Sequence, residues 1–135
     1  MQKGSIQVNK MNNNILREYL KKLIEQITDW EAYFTNAIDV EKIPYITFEY
    51  KELLSEDNGK HIIELTVDAW GKGTPFDVIE KIDLLDKAFK FYKDMTGVFM
   101  VQIFLGKSRE FIEDEDKTIK RLQRKYDVIL FERGE

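Results

Sequence analysis

The chain has 135 residues, 43% of them hydrophobic and 13% aromatic, enough for one domain with a real core and too few for two ordinary ones. A net charge of −4 argues against a general nucleic-acid binder, which carries a basic footprint, and the lack of cysteine excludes disulfides, thiolate nucleophiles and cysteine-based zinc sites. No apolar signal region opens the sequence and no run approaches a membrane span, so a soluble, unprocessed protein without a membrane partner is expected.

Residues 1–13 (MQKGSIQVNKMNN) are polar and without period, and read as a terminal arm that either frays or orders on a partner. Residues 14–135 read as a single domain. Asn14 is placed to cap a first helix over 15–28, whose Leu16, Leu20, Leu23, Ile24 and Ile27 share one face. The next stretch, WEAYFTNAIDVEKIP, is irregular, yet Trp30, Tyr33 and Phe34 are too apolar for a free linker and should pack on the body. Pro44 opens a strand over 45–54, and Asn58-Gly59 supplies a hairpin turn into a return strand over 62–70. There Ile63, Leu65, Val67 and Ala69 alternate with Glu64, Thr66 and Asp68.

Gly71 and Gly73 break the run and read as hinges. Thr74, Pro75 and Asp77 suit the start of a second helix, with Val78, Ile82, Leu85, Phe89 and Tyr92 on its apolar stripe, ending at Gly97. VFMVQIFLG reads as a strand buried on both faces or lying at an interface. Residues 106–118 are polar and acidic, and 120–132 alternate as a last strand. The expected order is α-β-β-α-β-β, an α+β fold with an antiparallel sheet and two helices packed on one face.

Little chemistry stands out. His61 reads as an exposed strand-end residue, because no second histidine or cysteine completes a metal or acid–base site. Ser5, Ser55 and Ser108 lack a nucleophile elbow, and Gly71-x-Gly73 lacks the rest of a phosphate loop. Glu113, Asp114, Glu115 and Asp116 do not have the spacing of a calcium loop and read as a mobile, solvated hairpin tip. Neither a cofactor nor a metal is expected. Met100 and Val98 on the apolar strand, with Arg121, Arg124 and Lys125 on the last one, are candidates for a subunit or partner interface. The basic residues serve equally as protection of an edge strand.

The same ordering, with ELTVDAWGKGTPFDVIEKIDLLDKAF at its centre, resembles the tail terminator proteins of long-tailed bacteriophages, also called tail completion or tail-to-head joining proteins. The likeness spans about residues 15–132 and rests on the leading helix, PYITFEY, the strand ending in Asp68-Ala69-Trp70, and the long helix before two further strands. It implies a non-enzymatic virion protein, assembled in the host cytoplasm and located at the head–tail interface. Such a protein forms a hexameric ring of identical subunits that caps the tail tube protein and meets the head connector or head-completion protein. DNA passes through it without specific binding, and the loop 113–116 would lie near the channel or a ring face. The main alternative is a small-molecule-binding or regulatory α+β module with an apolar pocket lined by Trp30, Tyr33 and Trp70. A metal-dependent hydrolase using the acidic cluster is a further one.

Overall fold

A computed structural model describes residues 13–35 and 42–133. Helix α1 (Asn13–Thr28) leads into a short strand β1 (Ala32–Phe34), followed by β2 (Tyr45–Ser55) and β3 (Lys60–Lys72). Helix α2 (Phe76–Phe89) precedes β4 (Tyr92–Met95), β5 (Phe99–Ile112) and β6 (Ile119–Glu132). The strands form one six-stranded sheet in the order β1-β2-β3-β6-β5-β4. Pairing is antiparallel except between β1 and β2, so the sheet is mixed, and it curls into a half-barrel. Chain order is α-β-β-β-α-β-β-β, which corrects the expected antiparallel α-β-β-α-β-β arrangement.

Two strands account for the difference. β1 is three residues of the aromatic stretch after α1, held on β2 by parallel pairing of Ala32 with Ile46 and Phe34 with Phe48. Three residues are too few for a period-2 signal to show. β4 was absorbed into the helical pattern, because Tyr92 continues the spacing of Ile82, Leu85 and Phe89; α2 stops at Phe89 and Tyr92 instead pairs with Ile103. Strand β5 also runs on to Ile112, through residues that read as loop.

Core formation follows the alternation. Ile63, Leu65, Val67 and Ala69 of β3 and Leu122, Tyr126, Val128 and Leu130 of β6 are buried on one sheet face. Both helices cover that face: Leu16, Leu20 and Ile24 of α1, and Val78, Ile82, Leu85 and Phe89 of α2, join the same cluster. Each such side chain contributes about 1.5–3 kcal/mol on leaving water. The expected cap at Thr74 is not made: Pro75 occupies the N-cap position with no side-chain cap bond. Gly71 lies inside β3 rather than at a hinge. Gly59 does turn the β2–β3 hairpin, at φ +89°, and its carbonyl accepts from the Glu132 N–H, which ties the turn to the end of β6. Residues 1–12 of the expected arm lie outside the described residues, and Asn13 already belongs to α1. Among the described residues no helix is long and apolar enough to cross a membrane.

Candidate subunit interface

Among the described residues both helices lie on one face, and the opposite face of the central strands carries no helix, although Tyr45, Thr47, Asp68 and Trp70 at one end of it are buried. Its residues are the polar set of the alternation. Glu64, Thr66, Asp68 and Trp70 of β3 stand beside Asp127, Lys125, Gln123 and Arg121 of β6 in register. Toward the hairpin tip the character changes. Leu54 lies beside Ile62, Ile62 beside Ile129, and Phe131 beside Met100, so an apolar belt crosses β2, β3, β6 and β5. Met100 is 37% exposed and Leu54 43% exposed, large values for such side chains on strands.

The end away from the tip is fixed by a polar network. Asp68 is buried, and accepts from Arg121 Nε at 3.0 Å and Gln123 Nε2 at 3.1 Å. Arg121 also stacks over the Trp70 ring, 4.6 Å from its centroid, while Trp70 Nε1 donates to Thr47 Oγ1 at 2.9 Å. In the middle, Glu64 stands 3.7 Å from both Lys51 and Lys125, a loose arrangement that solvent screens. Arg121 is therefore positioned by its own chain, and Lys125 is the freer cation.

Met100, Arg121 and Lys125 thus share the helix-free face, and Val98, 38% exposed, lies at its edge in the turn before β5. Arg124 does not join them. It is buried, and projects from β6 into the helix-covered face between Leu122 and Tyr126. Its Nε donates to Asp86 Oδ1 at 2.9 Å, Tyr126 donates to the same oxygen at 2.8 Å, and Arg109 reaches Asp86 Oδ2 at 2.6 Å and Asp83 at 2.8 Å. Burial first, and then the Asp86 charge, push the Tyr126 phenol well above its ordinary range. The network clamps α2 to β5 and β6. β6 is also central in the sheet, so its basic residues protect no edge.

His61 departs from expectation as well. It is 1% exposed, with Nδ1 against Glu52 and Nε2 against Glu132, and Ser55 Oγ 3.1 Å from Nδ1. The ring thus bridges carboxylates from β2 and β6, which fits a structural clasp of β2, β3 and β6. Both nitrogens are engaged, so the ring offers no free base. The acidic turn is ordered by local bonds: Asp114 accepts from the Asp116 N–H, and Asp116 from the N–H and hydroxyl of Thr118. Those Thr118 donors, hydroxyl first, hold the Asp116 carboxyl below its usual range. Among the described residues, no group of three or more His, Asp or Glu side chains is arranged to hold a metal ion. Trp30 packs with the helix-side core, whereas Trp70 and Tyr33 form a small cluster with Tyr45, Ile43 and Ile119 on the other face, so the three aromatics do not line one pocket.

A second surface went unread in the sequence. Phe76 is 72% exposed, Leu84 39% and Phe91 76%. Phe76 and Leu84 fall with Glu80 and Lys87 at i, i+4, i+8 and i+11 on one stripe of α2, and Phe91 lies in the turn beyond its end. The buried set Val78, Ile82, Leu85 and Phe89 lies roughly opposite on the helix at about 100° per residue. Apolar residues outside the core-facing stripe were the available signal. Neither a protein-family model nor a curated protein matches the chain.

Proposed function

We propose that this chain is a structural virion protein of a long-tailed phage, which caps the tail tube as a ring and forms the tail side of the head–tail joint. One observation carries the reading: exposed apolar side chains stand on opposite sides of the subunit, Leu54 and Met100 on the helix-free sheet face and Phe76, Leu84 and Phe91 along α2 and just beyond it. Surfaces that do not overlap favour head-to-tail association of copies, which closes into a ring when the rotation permits. The polar groups support the same reading, because His61, Asp68, Asp86 and Arg124 are each consumed by partners within the chain. The sequence resemblance supplies the partners: the tail tube protein below, the head connector or head-completion protein above, and DNA passing without specific contact. A hexamer is the expected ring.

The test is electron microscopy of tails purified with and without the gene for this chain. A ring of density at the head-proximal end of tails, present only with the gene, is the expected result. Absence of the chain from purified tails overturns the proposal.

A further inference from the structure

We propose that Asn58 is a site of spontaneous deamidation, that the closed β2–β3 turn holds the reaction back, and that the isoaspartate it yields detaches the turn from β6. Asn58-Gly59 is the one Asn-Gly pair in the chain, and Asn58 is exposed at the hairpin tip. In such a pair no side chain on the second residue hinders attack of its main-chain nitrogen on the asparagine amide carbon. The Gly59 nitrogen loses its proton and bonds to Cγ of Asn58, ammonia leaves, and a five-membered succinimide closes. Water then opens the ring at either carbonyl and gives aspartate or isoaspartate. The net change is one side-chain amide and one water to one carboxylate and one ammonia. The chemistry needs only water and is independent of the proposed ring of subunits.

Closure of the succinimide requires the main chain at Asn58 to rotate and the Gly59 nitrogen to give up its proton. The folded hairpin resists both. Gly59 N–H donates to the Glu56 carbonyl at 3.0 Å, Glu56 N–H to the Lys60 carbonyl at 2.8 Å, and Glu132 N–H to the Gly59 carbonyl at 2.9 Å. Asn58 Oδ1 also accepts from the Lys60 N–H at 3.2 Å, which fixes the direction of the amide. The reaction therefore proceeds from the opened turn, at a rate set by how often it opens. Isoaspartate carries the former side-chain methylene in the main chain, so the turn becomes one bond longer. Gly59 packs directly on β6: a Cβ on it would stand 3.5 Å from Glu132 Cβ. The added length displaces the carbonyl that Glu132 N–H bonds, and the new carboxylate adds charge beside Glu56 and Asp57. Glu132 also holds Nε2 of His61, so the loss passes to the clasp of β2, β3 and β6.

The full chain is incubated in mildly alkaline buffer, folded and in urea, and residue 58 is followed by peptide mapping. Isoaspartate at 58 should build up at least about tenfold more slowly in the folded chain. Asn58→Ser, which keeps a short acceptor in the turn but has no amide, should give none. Equal rates overturn the gating by the turn, and no isoaspartate at 58 in urea overturns the site itself. The aspartate and isoaspartate products are then separated, refolded and titrated with urea. They carry the same charge, so a difference between them reports the main chain alone. The isoaspartate form should have the lower midpoint. Equal midpoints overturn the release from β6.

Discussion

Asp86 accepts from Arg109, Arg124 and Tyr126, and it is the polar point on which α2 is held to the sheet. Replacing one partner leaves half-buried Asp86 with fewer bonds, a loss of about 1–3 kcal/mol for a charged hydrogen bond. Arg124→Glu sets a second carboxylate against Asp86, so it should unfold the chain or lower its stability by at least about 3 kcal/mol in a urea titration. Tyr126→Phe, which removes one neutral donor, should cost about 1 kcal/mol. Alternation already placed Arg124 with Leu122, Tyr126, Val128 and Leu130, so its burial was legible; reading it as a projecting charge ignored that period. Its partner was not legible, because Asp86 lies 38 residues away on another element. A pH prediction belongs to the same scale. The Tyr19 hydroxyl, 2.6 Å away, and then the Met95 N–H hold the Asp94 carboxyl below its usual range. Burial raises Glu25, but Lys21 and the Ala32 N–H outweigh it and leave it lowered. A carboxyl with a depressed folded pKa binds its proton more readily in the unfolded chain. Its contribution is therefore complete above the ordinary carboxylate range and is lost as pH falls through the folded value. Urea midpoints measured against pH should fall in acid, and Asp94→Asn should flatten that fall; parallel curves would remove Asp94 from the account.

At the level of elements, the β5–β6 pairing depends on Gly106. A Cβ there would sit 2.4 Å from the Lys125 carbonyl oxygen, a backbone atom of the neighbouring strand that cannot move aside. The register shifts between Leu105 and Arg109 in the same place, so the glycine lets β5 bulge and still lie against β6. Gly106→Ala should cost about 1–3 kcal/mol, whereas Gly97→Ala, with nothing within 4 Å of its Cβ, should be close to neutral. Comparing the two denaturation midpoints separates close approach from a general cost of losing glycine. The long elements were legible for ordinary reasons. α1, β2, β3 and β6 carry enough residues for a period to emerge, and Asn58-Gly59 marks its hairpin. β1 and β4 have three and four residues and draw their stability from neighbours far along the chain. The helix-free face was legible only in part. The strand pattern set Glu64, Thr66, Asp68 and Trp70 on one side, but the belt of Leu54, Ile62, Ile129, Phe131 and Met100 exists only once β2, β3, β6 and β5 are placed side by side.

For the whole molecule, the question is what a subunit exposes once its core is closed. Lys125 is about one-third exposed and faces Glu64 across 3.7 Å, so little within the subunit depends on it. Exposed pairs at such separations contribute about 0–1 kcal/mol. Lys125→Glu should therefore leave the urea midpoint nearly unchanged, unlike Arg124→Glu one residue earlier. The two substitutions change the same charge on adjacent residues, but one side chain lies on the helix-free sheet face and the other faces Asp86. If copies meet through this sheet face, Lys125→Glu reverses a charge at the contact and should impair ring formation and head joining. Added salt should weaken the wild-type contact in the same direction, because charges exposed at the rim are screened within about 10 Å at 0.1 M. Heads and tails counted separately give the readout, with unjoined heads and tails expected for Lys125→Glu. Joined particles from this variant would show that this face meets only solvent.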